Sequence, residues 1–227
     1  MYEHSPAAAV PGPVSGLARG SSTAFYEAHV TARCAGAEDV ARFEAWAARE
    51  GLKATHIVLA RGRTPSQPML TLRESGSFAG QLAAAREVAG RLREAGFDPV
   101  RIKVECTPWA PEVPQQPSAR QHFEHHVKLL LDGDFDRAGL TGVAEAHGAH
   151  LSWNARRVRE GGRHERFVTQ RCFGVPAAEA GRALEQLLAD LTGYDVLAVE
   201  REFVLYDSDL SVDDGWIGAG PEGRRGT

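Results

Sequence analysis

The chain repeats itself, and the repeat constrains its fold more than any other property. Tyr26-Glu27-Ala28-His29-Val30 returns as Phe123-Glu124-His125-His126-Val127, an aromatic-Glu-x-His-Val word displaced by 97 residues. Leu70-Thr71-Leu72-Arg73 returns as Val168-Thr169-Gln170-Arg171 at an offset of 98, and Gly96-Phe97-Asp98 as Gly193-Tyr194-Asp195 at 97. A nearly constant offset across three landmarks indicates an internal duplication. Two copies related by a pseudo-twofold axis would each bring a Glu, a His, a Thr and an Arg to a shared place.

The copies agree in pattern as well as in words. Alternation over Phe25–Cys34 predicts a strand, and Val40, Phe43 and Trp46 recur at helical spacing up to Gly51. Strands over Thr55–Arg61 and Met69–Glu74 follow. A helix carrying Phe78, Leu82, Ala85, Val88 and Leu92 and a strand over Val100–Cys106 complete the first copy. The second copy reads the same way, with strands at Phe123–Leu131, Leu151–Arg156, Arg166–Phe173 and Leu197–Tyr206 and helices at Asp136–His147 and Ala177–Leu191. The order β-α-β-β-α-β is the ferredoxin-like unit. The expected class is therefore α+β, two tandem ferredoxin-like lobes related by duplication. Their expected bounds are 23–108 and 121–207. A Pro-rich linker joins them at 109–120, a disordered tail precedes them at 1–22, and a C-terminal tail covers 208–227.

Strand alternation assigns directions. Ala28, Val30 and Ala32 share one face of the first strand, and Glu27, His29 and Thr31 the other. In the second copy Glu124, His126 and Lys128 lie opposite Val127 and Leu129, while Thr71 with Arg73 and Thr169 with Arg171 form the polar faces of the third strands. Helices should cover the apolar faces. The polar faces should then flank a cleft between lobes, because charge on a central strand needs water or a polar partner.

Such a cleft suits a small anionic molecule or nucleotide. Arg73, Arg171 and Lys128 would hold the anion, Thr31, Thr71 and Thr169 would donate hydrogen bonds, and Glu27 and Glu124 would orient the His or Arg groups. His29 and His126, one per lobe, are the candidate catalytic acid and base. His29-Val30-Thr31 resembles the His-x-Ser/Thr motif of two-histidine phosphoesterases and RNA ligase-like proteins, which also have two related lobes. The resemblance implies a hydrolase or phosphoesterase in which His29 and His126 handle protons and Thr31 holds a phosphate oxygen. Lys128 departs from the Ser or Thr that the motif requires in the second lobe.

Two other readings start from the same residues. Glu27, His29, Glu124 and His126 could form a two-His, two-carboxylate shell for iron, manganese or zinc, although the neighbouring cations oppose a metal. Alternatively, Glu27–Arg73 and Glu124–Arg171 are cross-strand ion pairs of a non-catalytic interaction protein whose repeated polar set is structural. No cofactor motif is present, and Asp207 to Asp213 lacks the Gly and Glu of a calcium loop. Asp213-Asp214-Gly215-Trp216 is expected to dock the tail by burying Trp216. The net charge of -4 gives no footprint for nucleic acid, which leaves a local basic patch open. Three scattered cysteines suit a reducing cytoplasm, and no apolar run is long enough for a membrane helix.

Overall fold

The computed structural model describes residues 24–73, 76–155 and 163–216. The tail at 1–22, the basic run at 156–159 and the chain beyond Trp216 lie outside the described residues. The first copy contains β1 (Tyr26–Arg33), α1 (Ala37–Arg49), β2 (Lys53–Leu59), β3 (Ser66–Leu72), α2 (Phe78–Glu94) and β4 (Asp98–Cys106). The second contains β5 (His122–Leu131), α3 (Arg137–Ala146), β6 (Ala149–Asn154), β7 (His164–Phe173), α4 (Ala177–Asp190) and β8 (Asp195–Asp207). A short 3-10 turn, Leu210–Asp213, follows. Local chemistry starts the helices: Ser77 accepts from the Gly80 amide at 3.2 Å and Asp136 from the Gly139 amide at 2.9 Å.

The ladders correct the expected fold class. The chain does not form two tandem ferredoxin-like lobes with open sheets; it forms one closed eight-stranded barrel in the order β1-β3-β2-β6-β7-β5-β8-β4. Each copy keeps its own four neighbouring strands. The edges then join: Ile57–Leu59 of β2 pair with Ser152–Asn154 of β6, and Lys103–Cys106 of β4 pair with Phe203–Asp207 of β8. The physical reason is that an open sheet leaves two rows of unpaired backbone groups, and closure removes them. The first half of β8 is laddered to β5 alone.

The barrel is apolar outside and polar inside. Ala28, Val30, Leu70 and Val104 face outward onto Phe43, Trp46, Val88 and Leu92 of the first helix pair. Val127, Leu129, Leu151 and Val168 do the same beneath Leu140, Leu184 and Leu187. A third apolar cluster joins the copies, with Phe123 and Phe203 edge to face at 4.8 Å between ring centroids. The expected linker contributes Ala110 to this cluster, and Glu112 accepts a hydrogen bond from the Tyr26 hydroxyl. With the apolar side chains committed to the helices, strand alternation turns the repeated polar set into the barrel.

Candidate functional site

Every candidate residue named from the sequence lines one internal chamber of about 510 Å³: Glu27, His29, Thr31, Thr71, Arg73, Glu124, His126, Lys128, Thr169 and Arg171. An eight-stranded barrel is wide enough to be filled by side chains or to hold one small ligand. Here Ile57, Leu59, Met69 and Phe167 supply an apolar wall, and the repeated residues supply the polar one.

Register places the repeated residues in near-equivalent settings. Glu27 stands opposite Glu105 and His29 opposite Thr71; Glu124 stands opposite Glu202 and His126 opposite Thr169. His29 Nε2 lies 3.2 Å from Glu27 and 3.0 Å from Glu105, while its Nδ1 is 3.2 Å from the Thr71 hydroxyl. His126 Nε2 lies 3.2 Å from Glu124 and 3.4 Å from Glu202, with Nδ1 3.0 Å from the Thr169 hydroxyl. Each His is thus held by two carboxylates and one Thr. Arg73 donates to Glu27, and Arg171 donates to Glu124 at 2.7 Å.

The copies differ where the charges meet. Lys103 projects its ammonium between Glu105 at 2.6 Å and Glu124 at 3.1 Å, joining the two His groups through a carboxylate-ammonium-carboxylate bridge. The position equivalent to Lys103 in the second copy is Glu200. Asp213, from the 3-10 turn, accepts from Arg101 and Arg171 at 2.8 Å each, clamping a strand of one copy to a strand of the other. Arg101 also pairs with Asp207, and Gln67 donates to Asp213 at 2.9 Å. Lys128 faces Glu165 at 2.7 Å. The three cations expected to hold an anion therefore each already face a carboxylate.

Burial sets the protonation states. Burial would lower the His126 pKa, yet its bonds to Glu124 and Glu202 outweigh this and raise it to about 10. Burial would raise Glu124, but Arg171, Lys103 and the neighbouring imidazoles hold it well below the usual carboxylate range. Asp213 is depressed in the same way by Arg171 and Arg101. Burial also opposes the charge on Lys103, and Glu105 with Glu124 restores it. Burial and Glu105 raise Glu202.

Sequence reasoning missed Arg101, Lys103, Glu105, Glu202 and Asp213 as site residues. A signal existed for two of them, since Glu105 and Glu202 are themselves 97 residues apart. His125, adjacent to His126 in sequence, lies on the opposite face of the strand, turned to the outer layer, and meets Gln170 at 3.0 Å. Trp216 is buried against the barrel end, where its indole donates to the Leu151 carbonyl at 3.0 Å. Among the described residues, the group of metal-type ligands whose atoms lie within 4.8 Å of one another is Glu105, Glu124 and His126, rather than the expected Glu27/His29/Glu124/His126 set. The Lys103 ammonium stands between two of its members.

No family model and no curated protein matches the chain. Among solved structures, the acetolactate synthase small subunit of Thermotoga maritima aligns at 12% identity over 81% of this chain and 98% of that one, with a TM-score of 0.28. The regulatory subunit of aspartate kinase from Thermus thermophilus aligns at 16% identity over 74% and 93%, with a TM-score of 0.29. TM-scores this low support no inference about shared fold or activity. No described helix is long and apolar enough to cross a membrane.

Proposed function

We propose that the barrel interior is a binding chamber for one small, uncharged, partly apolar molecule whose oxygen meets the His29/His126 pole. The observation that carries this reading is the chamber of about 510 Å³ with an apolar wall opposite a polar one. Ionic pairing alone would be satisfied by a filled barrel, so the space supports a binding role over a purely structural one.

Charge selects the class of ligand. Six basic side chains line the chamber (Lys53, Arg73, Arg101, Lys103, Lys128 and Arg171), and six acidic ones face them (Glu27, Glu105, Glu124, Glu200, Glu202 and Asp213). An anion seated on Arg73, Arg101 or Arg171 would have to displace a carboxylate from the guanidinium fork, and leaving a buried carboxylate unpaired is costly. A ring alcohol, phenol or ketone would instead place its body against Ile57, Met69 and Phe167. Its oxygen would accept from the polar wall, where Thr31 offers a hydroxyl. A His126 that keeps its proton to about pH 10 adds a fixed positive charge at that pole, able to stabilise negative charge developing on that oxygen while its own N–H groups stay with Glu124, Glu202 and Thr169. It does not serve as a base near neutrality.

The test compares 1-naphthol with phenyl phosphate by thermal shift on the full chain and on Met69→Trp, which fills the chamber. A ligand that binds only the native state raises its stability. The expected result is a higher Tm with 1-naphthol in the unmodified chain, loss of that shift in Met69→Trp, and no shift with phenyl phosphate. A preference for phenyl phosphate would restore the anionic reading and overturn the neutral one. An equal shift in both chains would remove the chamber as the site.

A further inference from the structure

A second pocket lies outside the barrel, between α3 and strands β6 and β7, with a volume of about 170 Å³. Its walls are mainly apolar, including Ala144 and Leu151. An apolar cavity of about 150 Å³ accommodates benzene, so this slot suits a single ring.

Its charge is arranged unlike that of the chamber. The Arg166 guanidinium lies 5.1 Å from the Trp153 ring centre and 5.9 Å from that of Phe135. Among the described residues it faces no carboxylate, and its one hydrogen bond goes to the Glu165 carbonyl at 3.0 Å. Arg137 lines the same pocket, also without an ion pair among the described residues. The pocket's carboxylate, Glu145, is engaged by Arg61. Burial and Arg137 destabilise the charge on Arg166, so an arriving anion would relieve both. Two aromatic faces flank the guanidinium at these distances, and its planar fork matches a carboxylate in two-point contact.

We propose that this slot binds a small single-ring carboxylate, with the ring between Ala144 and Leu151 and the carboxylate on Arg166. Trp216 lines both this slot and the chamber, so its occupant would share a wall with the chamber's ligand.

Isothermal titration of the full chain with sodium benzoate tests this, with acetate and benzyl alcohol as the charge-only and ring-only comparators. The expected result is benzoate binding at least about tenfold tighter than either comparator. Arg166→Gln should weaken it by a similar factor. Thr141→Trp, which fills the slot from α3 while leaving Arg166 in place, should abolish it and keeps the test decisive where Arg166→Gln fails to fold. Absence of a benzoate signal in the unmodified chain overturns the proposal. So does a signal unchanged in both slot variants, or one retained in Thr141→Trp and lost in Met69→Trp, which would place benzoate in the chamber.

Discussion

Among single residues, Glu124 and His126 show how a barrel interior tolerates so many charges. Glu124 receives Arg171, Lys103, His122 and His126, so its buried charge is surrounded by donors. His126 is correspondingly held protonated, and this links stability to pH. Its folded pKa, about 10, lies above the usual value near 6.5 of an unfolded histidine. The resulting stabilisation is fully present below about pH 6.5 and is lost as pH rises through about 10. His126→Gln should therefore cost on the order of a few kcal/mol at pH 6 and progressively less towards pH 10. Urea denaturation of both chains across that range is the check; a constant difference would show that His126 does not carry the linkage.

At the scale of elements, the β2–β3 loop and the C-terminal turn hold one end of the barrel together. Gly62 has φ +116, which side-chain-bearing residues rarely adopt, and a Cβ there would lie 3.1 Å from the Trp216 amide nitrogen. The Arg63 amide donates to the Asp214 carbonyl at 2.9 Å across the same contact. Gly62→Ala should destabilise the protein by more than ~1 kcal/mol. Gly90→Ala, within α2 and with open space around its Cβ, should stabilise it by ~0.5–1 kcal/mol. Thermal unfolding of the two variants should show shifts of opposite sign.

The helices and strands were legible because their periods are local: Val40-Phe43-Trp46 and Ala28-Val30-Ala32 declare themselves within one window. The site was partly legible because Glu27 and His29 recur as a recognisable word. Glu105 and Glu202 were not, since Val104-Glu105-Cys106 and Arg201-Glu202-Phe203 share little besides the Glu. Asp213 was hidden for a different reason: its role depends on a turn placed between β4 and β7, a long-range fact with no periodic trace.

For the whole molecule, closure is the property that the local pattern could not reveal. A strand joined to a second copy alternates in the same way as one left at an open edge. The joints nevertheless predict how a half behaves. A fragment of residues 1–116 would expose β2 and β4 as edges and a charged inner face. It should associate into a homodimer that rebuilds an eight-stranded barrel, detectable by sedimentation velocity. A stable monomer would show that the two sheets do not need each other.

The exchange of Lys103 for Glu200, and of Thr31 for Lys128, has a consequence for anything held inside. Two identical halves would offer a lopsided guest two equivalent poses, with its reactive end distributed evenly between them. Once an ammonium bridges the carboxylates on one side and a carboxylate replaces it on the other, the poses differ in energy by the guest's own polarity. The duplicated container thereby acquires a head and a tail.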